Sequence, residues 1–355
     1  MKYRKTVAII GTHGLYAKYG GFETLVTNLV DYKKNQYKYI IFNSKFTNKP
    51  KNIPKDIKII KLPLSASGKM GVIYDFVSVC IAFFNSNTFL LLGSQGMLLV
   101  AICKLFKKIN VIVNLDGIET KRGSFTSIAK IYLKLCYQLS YKFADKIILD
   151  NGYFTELTPD SAVNKSHIIS YGAKIDKSLK ITDELIKNHN FLGDDYFFAM
   201  GRSISDNNLY ELCDFFSKTD KRIVLVSILD KSSYGKNILS KFSNFDNIHL
   251  INGLFDKPLL DLIRRKCKGY IHTHSLCGTA PSLVEAACSD IPIISIDVPQ
   301  NRYTLNNDCA YFKNFSELSN FTNLSREALQ KYKPNSAMAL RYSWEKIVND
   351  YENLF

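Results

Sequence analysis

The eight cysteines of this 355-residue chain, Cys80, Cys103, Cys136, Cys213, Cys267, Cys277, Cys288 and Cys309, include no Cys-x-x-Cys pair. That removes the usual spacing of thiolate metal sites and of dithiol redox centres. No basic-then-apolar leader precedes the first predicted strand, so a reducing cytoplasm is the expected compartment. The chain also lacks low-complexity tracts and internal repeats, which sets aside disorder and solenoids. The common nucleotide fingerprints are missing as well. Gly-x-Gly-x-x-Gly would need a glycine where His13 stands, and the phosphate loop would need Gly-Lys-Ser/Thr where the chain reads Gly20-Gly21-Phe22-Glu23. Charge is absent from Phe76 to Cys103. This run is no membrane span, because Asn85-Ser86-Asn87-Thr88 and Gly93-Ser94-Gln95-Gly96 cut it into a helix near 70–84, a strand Phe89–Leu92 and a helix Met97–Phe106.

What the chain does contain is a folded composition, 46% hydrophobic and 22% charged. Its length suits two cores better than one. Apolar strand candidates alternate with helical stretches: Thr6–Ile10, Tyr39–Phe42, Ile57–Leu62, Phe89–Leu92, Val111–Asn114, Lys146–Leu149 and His167–Ile169. A second series follows a polar stretch: Tyr196–Met200, Arg222–Ser227, Ile248–Leu250, Gly269–Thr273 and Ile291–Ile296. The alternation predicts an α/β protein with parallel sheets covered by helices on both faces. We divide it into residues 1–175, residues 176–340 and a terminal amphipathic helix within 341–355. Lys+Arg outnumber Asp+Glu 25 to 10 in residues 1–175, whereas the remainder carries 22 of each. The excess positive charge in the first part fits an anionic surface, either membrane or nucleic acid, although no nucleic-acid reader motif accompanies it.

Two doubly wound domains bind ligands beside the carboxyl ends of their strands, so the loops after strands carry the candidates. Residues 272–287, His-Thr-His-Ser-Leu-Cys-Gly-Thr-Ala-Pro-Ser-Leu-Val-Glu-Ala-Ala, predict a strand, a small-residue loop containing Thr279, and a helix opening at Pro281. The N–H groups of Ser282, Leu283 and Val284 would then face a diphosphate, with Glu285 on the first helical turn accepting from ribose hydroxyls. Arg202 follows a strand and a glycine, where it can clamp a phosphate through two parallel bonds. Lys231 is a second candidate cation. In the first domain the loops are the glycine-rich elbow from Gly11 to Gly21, Gly93–Gly96, and residues 114–119 with Asp116 and Glu119. His13 and His274 stand in loops as ligand contacts or structural histidines. The helix Met97–Phe106 ends in Lys104, Lys107 and Lys108, and reads as a core helix or a bilayer-surface helix.

Taken together, GTHGLYAKYGGFETL, NLDGIETKR, ADKIILDN, SYGA, the Gly-Arg of MGRSISDNN, HTHSLCGTAPSLVEAA and RYSWEKIVNDYENL resemble glycosyltransferase family 4, and within it the bacterial rhamnosyltransferase-like branch of capsule and exopolysaccharide synthesis. The resemblance runs through nearly the whole chain in order. It implies the GT-B architecture: two Rossmann-like domains with an interdomain cleft and a C-terminal closing helix. It also implies a nucleotide-sugar donor held mainly by the second domain, an acceptor on the first, no metal or cofactor, and retention at the anomeric carbon. By position, Gly20 and Gly21 correspond to glycines near the donor diphosphate and sugar, Arg202 to the phosphate-clamping arginine, and Glu285 to the second glutamate of the paired-glutamate motif. Cys277 stands in place of the first glutamate, Asp206-Asn207-Asn208 in place of the wider family's clamp lysine, and Thr120 in place of the branch's aromatic.

The function expected from the sequence is transfer of a sugar, rhamnose from dTDP-rhamnose first among the candidates, to a lipid-linked saccharide. The protein would lie peripherally on the inner face of the cell membrane, with Lys104, Lys107, Lys108, Lys121 and Arg122 toward the lipid. Asp116 and Glu119 would hold sugar or acceptor hydroxyls. The rivals are a nucleotide-sugar epimerase of related fold and a degenerate transferase serving as a scaffold.

Overall fold

The computed structural model describes residues 5–17, 20–34, 37–47, 53–115, 117 and 126–355. The chain divides into two compact units, one formed by residues 1–172 with 344–355 and the other by residues 173–343. Each is built on its own parallel sheet, and together they match the two Rossmann-like domains of the GT-B fold.

The sheet of the first unit has seven strands: β1 Thr6–Ile10, β2 Lys38–Asn43, β3 Ile57–Lys61, β4 Thr88–Leu92, β5 Asn110–Asn114, β6 Lys146–Leu149 and β7 Ser166–Ile168. Their order is β3-β2-β1-β4-β5-β6-β7, and every pairing is parallel. The central strands are continuous β-branched and leucine runs because helices bury both of their faces. α1, Gly21–Asp31, covers one face. α2, Lys69–Asn85, α3, Met97–Phe106, and α4, Ser127–Phe143, cover the other, as right-handed crossovers running in one direction require. Thr126 caps α4 by accepting from the Ala129 N–H.

The C-terminal helix, Trp344–Glu352, belongs to the first unit although it follows the second in sequence. Trp344, Ile347, Val348 and Tyr351 complete the core over α1 and β1. Gly172 permits this closure, since a Cβ there would lie 2.6 Å from the Trp344 ring. Polar bonds fix the helix in register: the Asn114 amide donates to the Tyr351 hydroxyl at 2.7 Å, and Tyr39 donates to the Glu352 carboxylate at 3.0 Å.

The second unit has β8 Phe197–Met200, β9 Ile223–Ser227, β10 Ile248–Asn252, β11 Gly269–His272, β12 Ile293–Ile296 and β13 Ala310–Phe312, in the order β10-β9-β8-β11-β12-β13. The short β13 was not anticipated from its Ala-Tyr-Phe sequence, which is too brief to show a period. It pairs in parallel with β12 and closes the edge.

Candidate functional site

Strand order reverses between β8 and β11, and the loops after these two strands bear the principal candidates. The two loops are stitched together. Asn208 donates through its amide to the Thr273 carbonyl at 2.8 Å, the Thr273 hydroxyl donates to the Asn207 carbonyl, and Ser275 donates through both N–H and hydroxyl to the Asp206 carbonyl, each at 3.0 Å. The Asn207 amide holds the Arg202 carbonyl at 2.9 Å. Asp206-Asn207-Asn208, where the resemblance would have had a clamp lysine, therefore serve as a scaffold for the loop.

On this scaffold the Arg202 side chain is exposed and its guanidinium makes no hydrogen bond or ion pair to any described residue. Its fixed backbone and free cation suit an incoming anion. Beneath it lies His274, which is buried. Burial first, then the Arg202 charge, push its pKa down to about 3, so the ring is neutral. Gly201 makes room for that ring, because a Cβ there would stand 2.4 Å from His274 Nε2. His272 packs on His274 with ring centroids 4.3 Å apart and is also held neutral by burial. Asn301 donates to the His274 carbonyl at 3.2 Å.

The helix after this loop, Pro281–Ala287, corrects part of the sequence reading. The N–H groups of Leu283 and Val284 donate to the Ala280 carbonyl at 3.0 and 3.1 Å, so they are not free for a diphosphate. The helix tightens at once around Ala280 because Pro281 supplies no donor. Leu283 is wholly buried in the core, Thr279 is also buried, and Ser282 hydrogen-bonds the Tyr270 hydroxyl. Glu285 is the fifth helical residue and so lies beyond the first turn.

Glu285 is instead part of a charge cluster that sequence reasoning missed. Arg264, wholly buried on the helix Lys257–Lys266, bonds Asp261 on one side and Glu285 on the other. Lys257 reaches Asp261 at 2.7 Å and Glu285 at 3.6 Å, and the Asp176 N–H donates to Asp261 at 2.8 Å. Two cations thus balance two carboxylates, and of the two carboxylates Glu285 keeps appreciable exposure, 23% of its side chain, while Asp261 keeps none. The only sequence hint was the Asp261/Arg264 spacing on one helix face, which reads equally as a solvated pair. Lys231 has a side chain 79% exposed and pairs with its neighbour Asp230 at 3.4 Å.

In the first unit, strand order reverses between β1 and β4. The elbow after β1 is organised around its own carboxylate. Glu23, buried on the first turn of α1, accepts from the His13 N–H at 2.8 Å and the Thr12 hydroxyl at 3.1 Å. Gly20 has φ 137°, and a Cβ there would overlap Glu23 Oε2 at 1.7 Å. A Cβ at Gly21 would meet the Tyr171 hydroxyl at 3.1 Å. The glycines therefore let Glu23 fold back over the helix end, so that a carboxylate already complements this dipole. His13 is fixed from both sides, its carbonyl accepting from the Ser44 N–H at 2.9 Å and the Thr47 hydroxyl at 2.6 Å.

The three lysines at the end of α3 have different roles. Lys104 donates to the Phe143 carbonyl at the end of α4 and to Asp145, both at 2.8 Å. Lys107 donates to the Phe83 and Ser86 carbonyls at the end of α2. Both cap neighbouring helices, so the expectation that they face lipid gives way to a structural role. Lys108 is exposed. Asp116, Glu119, Lys121 and Arg122 lie outside the described residues. Among the described residues no group of three or more His, Cys, Asp or Glu is arranged to hold a metal, and no helix is long and apolar enough to cross a membrane.

Asp75 on α2 was not foreseen either. It is buried beside the loop after β4, with its Cβ 3.9 Å from the Cβ position at Gly96, and it has no hydrogen bond or ion pair to a described residue. Desolvation pushes its pKa up to about 7.

A family described as "Domain of unknown function (DUF1972)" matches residues 4–174. No curated protein matches the chain. Among solved structures, sucrose-phosphate synthase from Thermosynechococcus elongatus is similar over 99% of this chain and 98% of its own, at 14% identity and a TM-score of 0.81. Anabaena HepE in complex with UDP-glucose is similar over 99% of both chains, at 14% identity and a TM-score of 0.72. A protein from Listeria monocytogenes assigned as a UDP-N-acetylglucosamine 2-epimerase is similar over 100% of this chain and 96% of its own, at 14% identity and a TM-score of 0.64. At this identity the likeness establishes the shared fold.

Proposed function

We propose that the chain is a retaining glycosyltransferase that takes a sugar from a nucleoside diphosphate, with dTDP-rhamnose the first donor to test, and delivers it to a lipid-linked saccharide in surface polysaccharide assembly. The observation that carries this reading is the free guanidinium of Arg202, standing on a stitched loop where strand order reverses. It meets the electrostatic demand of the reaction. As the glycosidic bond breaks, negative charge gathers on the departing diphosphate, and a fixed cation stabilises that state more than the ground state. Glu285, held by Arg264 and Lys257 yet partly exposed, offers a carboxylate of set orientation to ribose hydroxyls. His274 presents a neutral ring, which spares the site a second positive charge. The acceptor hydroxyl would be deprotonated by a phosphate oxygen on the same face of the sugar. Asp116 and Glu119 would orient the acceptor, and the protein would work peripherally at a membrane.

The epimerase reading is favoured by one observation, the fold shared with the Listeria protein. Product analysis separates the two. Incubation with a panel of nucleotide sugars and a lipid-linked saccharide extract should release nucleoside diphosphate in proportion to saccharide lengthened. Interconversion of the nucleotide sugar without acceptor would sink the transferase reading, and no turnover of any donor would favour a scaffold.

A further inference from the structure

The outer face of α3 and α4 is unusually apolar for a surface in water. Ile102, Leu105 and Phe106 are 48%, 75% and 79% exposed, and Ile128, Ile131 and Leu135 are 81%, 71% and 43% exposed. Their spacings, i, i+3, i+4 on α3 and i, i+3, i+7 on α4, place each trio on one side of its helix. The two helices pack against each other on the same face of the sheet. The opposite face, under α1 and the C-terminal helix, exposes no large apolar side chain from either helix. Scattered exposed apolar side chains need no explanation, but six neighbouring ones on paired helices do.

Charge identifies what covers this face. α3 and α4 contain no acidic residue, and the one acid of α2, Asp75, is buried. The nearby Asp145 is paired with Lys104. Lys108, Lys134 and Lys142 are exposed, and Lys130 is half-buried beside them. All charge presented outward by these helices is therefore positive.

We infer that the α3–α4 face docks on an anionic lipid bilayer, with Leu105, Phe106, Ile128 and Ile131 entering the interface and Lys108, Lys130 and Lys134 meeting lipid phosphates. The inference rests on the reading above for a lipid-linked acceptor, but the face is argued from its own residues. It also replaces Lys104 and Lys107, which are committed to helix ends, with residues that are free to reach lipid. Apolar side chains sink into the headgroup–acyl boundary while lysines at the rim supply a salt-sensitive attraction.

The test uses the full chain with vesicles of phosphatidylcholine, with and without phosphatidylglycerol, in a flotation assay. Wild type should bind only the anionic vesicles, and added salt should weaken binding in part. The pair Leu105→Asn and Ile131→Asn should lower the bound fraction about tenfold and leave a remainder that salt abolishes. The pair Lys108→Gln and Lys134→Gln should lower it and weaken the salt dependence, leaving the share due to Lys130. All four positions are exposed, so melting temperatures should not move. Both pairs binding like wild type would overturn the inference, as would sedimentation showing a dimer that the apolar pair dissolves. Calorimetry with nucleoside diphosphates in vesicle-free buffer keeps the two readings apart. Vesicle binding without nucleotide binding leaves this face standing and removes the transferase, and the converse removes only the face.

Discussion

At the scale of single residues, two buried charged groups, Arg264 and Asp75, decide most of what can be measured. Arg264 has the least tolerant environment: its two carboxylate partners and its complete burial mean that loss of the cation leaves the buried Asp261 and the partly exposed Glu285 with only the half-exposed Lys257 to balance them. Breaking such a pair costs about 3–5 kcal/mol. Arg264→Leu should lower the unfolding free energy in denaturant titration by that order, whereas Lys257→Met, at a half-exposed position, should cost less than about 1 kcal/mol. Asp75 carries the pH dependence. Its carboxyl holds a proton more tightly folded, at about 7, than the ordinary value of 3.8. Between those values the unfolded chain ionises while the folded chain stays protonated, so stability contributed at low pH is lost as pH rises and then levels off above about 7. Asp75→Asn should accordingly raise the melting temperature well above pH 7 and do nothing near pH 4; a shift of equal size at both would refute the assignment. Neither residue was legible in the sequence. Arg264 sits in Ile-Arg-Arg-Lys at a helix end, which reads as a solvated cationic terminus. Asp75 is a lone acid in an apolar helix, and only tertiary packing determines whether it finds a partner.

Among the elements, the repeating strand and helix pattern was readable because each central strand is buried on both faces and shows as an unbroken apolar run. β1, β6 and α3 stand where their sequences place them, and most other strands differ by a residue or two at their ends. What the pattern could not convey is where loop and cap donors are spent. Pro281 marks a helix start correctly, yet it does not reveal that Ala280 accepts from both Leu283 and Val284. The elbow shows the same limit, since its glycines are visible in sequence but the carboxylate of Glu23 that they accommodate becomes evident only in space. Gly20→Ala tests this point. A methyl group would collide with Glu23 at a backbone angle that favours glycine, so the variant should be destabilised by more than about 1 kcal/mol. The C-terminal helix offers a larger effect. Trp344 fills the space over Gly172 in the core of the first unit, so Trp344→Ala should cost about 3–5 kcal/mol and shift the melting of that unit. Separate melting of the second unit at its original temperature would show that the helix serves the first alone.

For the whole molecule, the uneven charge and the uneven exposure of apolar side chains fall in the same unit, while the exposed guanidinium of Arg202 and the partly exposed carboxylate of Glu285 fall in the other. A fold shared by proteins as different as sucrose-phosphate synthase and a protein assigned as an epimerase does not choose among chemistries. The choice rests on the site, and its central claim is that the loops after β8 and β11 hold a nucleotide sugar through Arg202. Calorimetric titration of wild type and Arg202→Ala with dTDP-rhamnose, UDP-glucose and their free diphosphates tests this directly. We expect at least one donor to bind wild type and its affinity to fall roughly ten- to hundredfold in the variant, the loss of one charge-assisted phosphate contact of about 1.5–3 kcal/mol, with an unchanged melting temperature. Equal affinity in both proteins, or no binding of any nucleotide to wild type, would contradict the account.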